Sequence, residues 1–581
     1  MDAVVAVDFE AEYGSDLNLK RQGPVVYAGL THIFLVGIYT PGLEYIGPPQ
    51  DAPWDQISGE HWVSHNAGFD QVVFQAASRR GLISAIAPSK WSCTADLSAF
   101  VGIGRKLSEA VKNSFGVEIS KSIRQRAGNR IWPSGFNAKM QEDFKTYCLA
   151  DAKWCYELWM KWCDAWLPEE REFSEIIRRR SHAGIAVDQE KLTQVKSILK
   201  LRVREAREQI PWDDPPLSRA RLVNWCEKEG VVPPDSTAEK NEAFARWVEA
   251  YGAKFPQIFW VGKYRKANRR LELCEAIERR IMPDGRMNFT LKYHGAGNTG
   301  RLSGSDGLNM QNLNKDGDGG VDLRSIFVAA PGKTLVIADF AQIEPRVVAW
   351  VCKDSGLLKL LHEGMNFYEV DAKIAKVWDA ESGTLKKSNP KLYQLQKAQT
   401  LGIGYGMGAK RFVEAARTML NLEFSEAEAK GVIAKWHARY PSVKPVWNQL
   451  ERGLTRAFNL GESFGIKLPS ERELRYYDLK REFGGITGAT TRGSVRRMKY
   501  WGGVLFENVI QAIARDVLRD AILRLEAAGI PVIFSSHDEC VCEVDPSFPK
   551  EEVVRIMTIP PIWAPDLPLA AEATASRHYL K

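Results

Sequence analysis

The sequence predicts a multi-domain protein of mixed α/β and α+β class, and three observations carry that expectation. The chain has 581 residues, too many for one hydrophobic core at roughly 150 residues per domain. Short β-branched runs alternate with helical stretches from Ala3 to about Trp166, whereas the block from about Leu167 to Met282 places Arg, Lys and Glu at helical spacing. After Pro283, strand-like runs return at Leu335–Ala338 and Val532–Ser536 and enclose a mainly helical middle.

Composition narrows the class. Hydrophobic residues make up 45% and charged residues 26%, as in a soluble globular protein, and no stretch approaches the roughly 20 apolar residues of a membrane helix. A net charge of +7 over this length is compatible with a nucleic-acid partner, although binding depends on where positive charge clusters. The nine cysteines include no CxxC pair, only Cys540 and Cys542 one residue apart, which implies a reduced protein without a structural zinc site. Met1 to Glu10 has no basic presequence, so a cytoplasmic location is expected. Three segments follow: residues 1–166, an α/β unit; 167–298, long exposed helices around Glu170–Arg180, Gln189–Gln209 and Lys263–Arg280; and 299–581.

In the first unit, Val4–Val7 reads as a buried strand running into Asp8-Phe9-Glu10, and strand alternation puts both acids on one face. Asn66 and Asp70 follow within His65–Asp70, and Tyr147 precedes Asp151 by four residues in a helix expected from Glu142 to Lys161. A solvated strand end would account for the first pair alone. The ordered set supplies four carboxylates and a tyrosine, enough oxygen ligands for two hard cations that activate a water and stabilise a departing 3′ oxygen. Asp-x-Glu, Asn-x3-Asp and Tyr-x3-Asp in this order resemble the tyrosine-bearing branch of the DEDD exonuclease superfamily. The resemblance implies an RNase H-like domain with Asp8, Glu10, Asp70 and Asp151 as metal ligands, Tyr147 positioning the attacking water and Asn66 as a neighbour.

In the third segment, Leu335–Ala338 delivers Asp339, and the run Asp339-Phe340-Ala341-Gln342-Ile343-Glu344-Pro345-Arg346 turns into a helix. Pro531–Ser536 and Glu539–Val544 flank His537-Asp538 as a hairpin. Acids at hairpin tips are commonly just solvated, but two strand ends here present Asp339 and Asp538. Between them, Lys397, Leu401 and Tyr405 fall at i, i+4 and i+8, on one face of a helix. The first run is similar to motif A of family A DNA polymerases, Lys397 to Tyr405-Gly406 to motif B, and His537-Asp538-Glu539 to motif C. Thr299–Ser303 with Asn309–Asn312, and Glu507–Gln511, extend the likeness, which covers nearly the whole chain and is closest to phage-type members.

That resemblance implies a right-hand palm, fingers (about 350–500, inserted in the palm) and thumb, the thumb and linker helices falling in 167–298. It implies DNA synthesis with 3′→5′ proofreading, probing a primer–template and dNTPs with two Mg²⁺ per active site, Mn²⁺ being an acceptable substitute. Asp339 and Asp538 are then the metal ligands. Lys397 serves the triphosphate, Glu344 acts as a steric gate against a ribose 2′-OH, and Leu401 and Tyr405 flank the nucleotide. Arg301, Asn309, Gln311, Asn312, Gln511, His537 and Glu539 lie along the DNA. The basic helix from Lys263 to Arg280 is expected on the duplex backbone. A monomer working with a processivity factor, helicase or primase is expected, with no membrane partner. The chain departs from the family pattern at Tyr393, where many relatives have a phosphate-binding Arg, and at Tyr368, where they often have His. With the first motif starting at residue 8, no 5′-nuclease domain is expected. A stand-alone exonuclease with a DNA-binding C-terminal region, a non-catalytic scaffold and an RNA-synthesising relative are the alternatives. The six intact carboxylates speak against the first two, and Glu344 against the third.

Overall fold

The structure, a computed structural model, describes residues 3–84, 86–120, 122–236, 242–305, 307–313, 321–420 and 422–580. Among the described residues no helix is long and apolar enough to cross a membrane.

The first sheet has five strands: Val4–Ala11, Ile33–Thr40, Leu43–Gly47, His61–Ser64 and Lys90–Cys93. Val4–Ala11 pairs antiparallel with Ile33–Thr40 and parallel with His61–Ser64, giving the spatial order third, second, first, fourth, fifth. Alternation along the first strand sends Val5, Val7 and Phe9 into a core with Trp62, Phe74 and Trp91. The 25-residue helix Ala138–Trp162 packs across Val4–Ala11 and Ile33–Thr40. It comes close because Gly37 has no side chain: a Cβ there would lie 3.0 Å from the Cys148 carbonyl oxygen.

Helix Pro168–Ala183 follows, with Pro168 in its first turn and Glu169 and Glu170 favourably placed against the helix dipole. Its expected exposure is corrected here. Glu170, Phe173, Ile176, Ile177 and Arg178 are buried, because the helix is wedged between the first sheet and the long helix Gly502–Ala527. The helices Gln189–Glu208 and Gln257–Glu278 pack on each other and keep more of their charged residues in solvent.

A four-stranded antiparallel sheet has Thr334–Phe340 between Glu539–Val544 and Ala571–Ser576, with Val532–Ser536 beyond Glu539–Val544. Gly502–Ala527 lies against it and buries most of its apolar residues. The enclosed segment is largely helical but contains a four-stranded sheet, Phe464–Lys467, Glu473–Glu482, Gly485–Ala489 and Met498–Tyr500. That sheet touches the first domain, where Tyr477 Oη donates to the Val101 carbonyl at 3.3 Å and Arg492 N to the Gly102 carbonyl at 3.1 Å.

Candidate active sites

The first carboxylate set converges. Asp8, Glu10, Asp70 and Asp151 line one cavity of about 780 Å³, together with Asn66, Arg105, Lys106 and Arg124. Asp70 comes from the first turn of helix Ala67–Arg79, entered through Asn66 in the left-handed conformation (φ 76°). Its Oδ1 accepts from the backbone N–H of Phe9, between the two acids of the strand, at 3.0 Å. Its Oδ2 is buried and has no hydrogen-bond partner among the described residues. Burial first, and then Glu10, hold the Asp70 carboxyl well above the usual range, while the Phe9 amide and Arg124 pull it down. Four carboxylates gathered on one cavity, one of them with a buried oxygen unmatched, form a donor set suited to hard divalent cations. Tyr147 is buried beside Phe144, and burial, followed by Asp151, Glu10 and Asp8, raises its hydroxyl pKa. Sequence reasoning missed Arg124, whose only signal is a basic run among the acids, and Cys148, which shares the helix with Tyr147 and Asp151.

The second set is assembled by strand pairing. Asp339 lies opposite Glu539 on one side and Glu572 on the other. Ser536 pairs with Glu539, so His537-Asp538 is a two-residue hairpin turn, with His537 at φ 56°. The Phe340 amide donates to the Asp538 carbonyl at 3.1 Å, which places Asp538 beside the strand end that carries Asp339. Asp339 and Asp538 both act on the Cys540 thiol, which burial above all pushes well up. Glu539 is buried and accepts from Tyr579 Oη at 2.5 Å, a partner near the end of the chain that no pattern in the sequence announces. His537 and Asn312 are exposed, Gln311 is buried with its Nε2 3.5 Å from the Ser535 carbonyl, and Asn309 caps the turn Met310–Asn312 that follows it by accepting from Gln311 N. Residues 314–320 lie outside the described residues.

Glu344 is gripped at both oxygens. Arg301 Nη2 donates to Oε1 at 2.5 Å and Tyr405 Oη to Oε2 at 3.1 Å. Glu507 stands close by; burial and then Glu344 raise its carboxyl pKa, and Gln511 Nε2 donates to it at 3.1 Å. Three residues from distant runs thus meet at one carboxylate.

The expectation of one continuous helical face through Lys397, Leu401 and Tyr405 is corrected. The α-helix Pro390–Ala398 passes into a π-helical turn, Gln399–Ile403, and Tyr405 lies in the turn after that. Such single π turns change the angular register of the side chains that follow. Lys397 is exposed, Leu401 half-buried and Tyr405 buried. The two departures from the family pattern pack on each other, the Tyr368 and Tyr393 rings meeting edge to face at 5.2 Å. Burial is the first cause of the raised Tyr368 hydroxyl pKa, with smaller effects of Tyr393, Glu344 and Asp538, so this pair borders the second site.

Behind the Arg301 loop lies a buried ionic cluster. Glu170 accepts from Arg515 Nη2 at 2.8 Å, Arg519 Nη1 at 2.7 Å and Tyr293 Oη at 2.6 Å. Arg515 also donates to the Gly300 carbonyl and Arg472 to the Thr299 carbonyl, each at 3.0 Å, and Arg472 pairs with Asp516 at 2.7 Å. Burial opposes the charge of Glu170, but Arg515, Arg519 and Arg472 hold its carboxyl well below the usual range. The backbone immediately before Arg301 is therefore fixed both to helix Gly502–Ala527, through Arg515, and to Arg472, which lies just ahead of strand Glu473–Glu482.

Fold and sites together define a two-centre protein, with one carboxylate set on each of two unrelated sheets. The chain belongs to DNA polymerase family A, whose family model matches residues 235–579. It is 27% identical over 419 residues to a DNA polymerase of Bacillus phage SP02, covering 63% of each chain. It is 25% identical over 438 residues to the thermostable DNA polymerase I of Thermus thermophilus, covering 71% of this chain and 48% of that one. The chain thus spans less than two thirds of the length of these relatives. Its fold is similar to the polymerase domain of Pol1 from M. smegmatis, solved in complex with DNA primer-template and dNTP, with a TM-score of 0.70, 19% identity, and coverage of 100% of this chain and 96% of that one.

Proposed function

We propose that this chain is a template-directed DNA polymerase with a 3′→5′ proofreading exonuclease, copying a phage genome in the cytoplasm of a bacterial host. The observation that carries the reading is the separation of two carboxylate centres, Asp8/Glu10/Asp70/Asp151 in one cavity and Asp339/Asp538 on the other sheet. Residues 1–166 are the exonuclease domain, 167–298 the linker helices and thumb, and 299–581 the palm with fingers inserted.

Asp339 and Asp538 would hold Mg²⁺ at the synthetic site, and Asp8, Glu10, Asp70 and Asp151 at the other. When bound, the cations supply charge neutralisation on phosphate oxygens and a lower pKa for the attacking hydroxyl or water. The chain's own residues do the rest. Glu344, clamped by Arg301 and Tyr405, occupies the space of a ribose 2′-OH and so selects dNTPs by exclusion. Lys397, exposed at the end of its helix, offers a positive charge to the triphosphate and a proton to the departing pyrophosphate. Leu401 flanks the sugar and Tyr405 the nascent pair. Arg301, Asn309, Gln311, Asn312, Gln511, His537 and Glu539 align the primer–template through contacts that report pair shape rather than sequence. At the other centre Tyr147 orients the attacking water, and Arg105, Lys106 and Arg124 attract the single-stranded phosphates. Lys263 to Arg280 contact the duplex backbone. A processivity factor, helicase or primase works with it, and the chain acts as a monomer.

Primer extension with and without dNTPs tests the reading. Asp538→Ala should abolish extension and retain 3′ degradation, and Asp8→Ala should do the reverse. Loss of both activities in either folded variant would refute the two-centre reading.

A further inference from the structure

Cys148 sits inside the first carboxylate centre. Its Sγ and one oxygen each of Asp8 and Glu10 lie within 4.8 Å of one another. The thiol is fully buried and donates to the Asp8 carbonyl at 3.5 Å. Gly37 opposite is what makes room, since a Cβ there would stand 3.2 Å from the sulfur. Asp70, 1% exposed and on the same cavity, contributes the unpartnered Oδ2 as a further donor. Oxygen donors suit Mg²⁺, whereas a sulfur among them favours borderline and soft cations such as Zn²⁺, Co²⁺ and Cd²⁺.

We propose that this centre has a second mode, in which one thiophilic dication of the Zn²⁺ class is held by Asp8, Glu10 and the thiolate of Cys148. The thiol proton is released to solvent as the sulfur–metal bond forms. This rests on the reading of the cavity as the centre of 3′ degradation, and it gives that centre a regulator. A cation so bound occupies Asp8 and Glu10 and stops degradation, while synthesis at Asp339 and Asp538 continues. The second sheet offers no equivalent: among the described residues, Asp8, Glu10 and Cys148 are the group of this kind.

The test is titration of the full chain with Co²⁺ and Cd²⁺, following the near-ultraviolet thiolate-to-metal charge-transfer absorption. The wild type should show one saturable band. In Cys148→Ser the band should vanish and half-saturation, read by competition, should rise by at least about tenfold, since even losing an outer partner of a ligand costs that much. Asp8→Asn should also lose the band, and Cys540→Ser should keep it. X-ray absorption of the zinc-loaded wild type needs no variant and should show one sulfur neighbour. An all-oxygen or nitrogen–oxygen shell, or an unchanged band in Cys148→Ser, overturns the proposal. If the band behaves as expected but the wild type shows no Mg²⁺-dependent degradation, the exonuclease reading fails and the cation site stands.

Discussion

Tyr405→Phe tests the proposed mechanism by which Glu344 would select the sugar. In that proposal, admitting a ribose 2′-OH would require the Glu344 carboxylate to move, and movement would break the bond to Tyr405 Oη at 3.1 Å and the ion pair to Arg301 at 2.5 Å. Removing the hydroxyl leaves the ring and its packing against Phe506, 6.2 Å between centroids, in place. A hydrogen bond to a charged group contributes about 1.5–3 kcal/mol. Glu344 and Arg301 side chains are 20% and 25% exposed, and Arg301 still restrains the other oxygen, so the lower end applies. A loss of about 1.5 kcal/mol corresponds to a fall in dNTP-over-rNTP selectivity of about tenfold. The assay is the ratio of kcat/KM values for a matched pair of nucleotides, in an Asp8→Ala background so that excision does not mask insertion. Glu344→Ala should lower the ratio further, and adding Tyr405→Phe to it should change nothing, because the tether then has no carboxylate to hold. Unchanged selectivity in Tyr405→Phe, or full additivity in the double variant, would refute the clamp.

Glu170→Ala removes the shared acceptor of Arg515, Arg519 and Tyr293, leaves buried guanidinium groups unpaired, and should destabilise the fold by about 3–5 kcal/mol, read from denaturant unfolding. His182 is held at a pKa of about 3, mainly by burial and then by Arg178, against an ordinary 6.5. It therefore stays neutral in the folded chain while the unfolded chain takes up a proton, so its contribution is intact above 6.5 and is lost as pH falls towards 3. The cost is up to about 1.4 kcal/mol for each pH unit below the ordinary value, and His182→Leu should flatten the slope of unfolding free energy against pH in that window. In the proposed placement beside the sugar, Leu401 brings no hydroxyl to replace a missing 3′-OH, so Leu401→Tyr should weaken discrimination against dideoxynucleotides by about ten- to hundredfold, measured as incorporation relative to dNTP.

What the sequence made legible, and what it hid, follows from how far each cause reaches along the chain. The placement of Asp339 and Asp538 at neighbouring strand ends was legible because strand alternation and a two-residue turn are local. The pairing of Asp8 with Glu10 was readable for the same reason. Glu170 was not: in Pro168–Ala183 it stands among Glu169, Arg171 and Glu172 and looks like a solvated face, while its partner Arg515 is 345 residues away. The π turn at Gln399–Ile403 was hidden for a different reason, since the i→i+5 bond has no residue signature comparable to a cap or a proline. The misreadings of charge share one direction, because the helix pattern assigns a charged residue to water unless its partner is also in view. The consequence reaches the site. Helix Gly502–Ala527 carries Glu507 and Gln511 beside the Glu344 clamp and, one to three turns on, Arg515, Asp516 and Arg519 in the buried cluster. One helix therefore joins the grip on Glu170 to the loop that carries Arg301, and helix Pro168–Ala183 becomes part of the scaffold behind the Glu344 clamp.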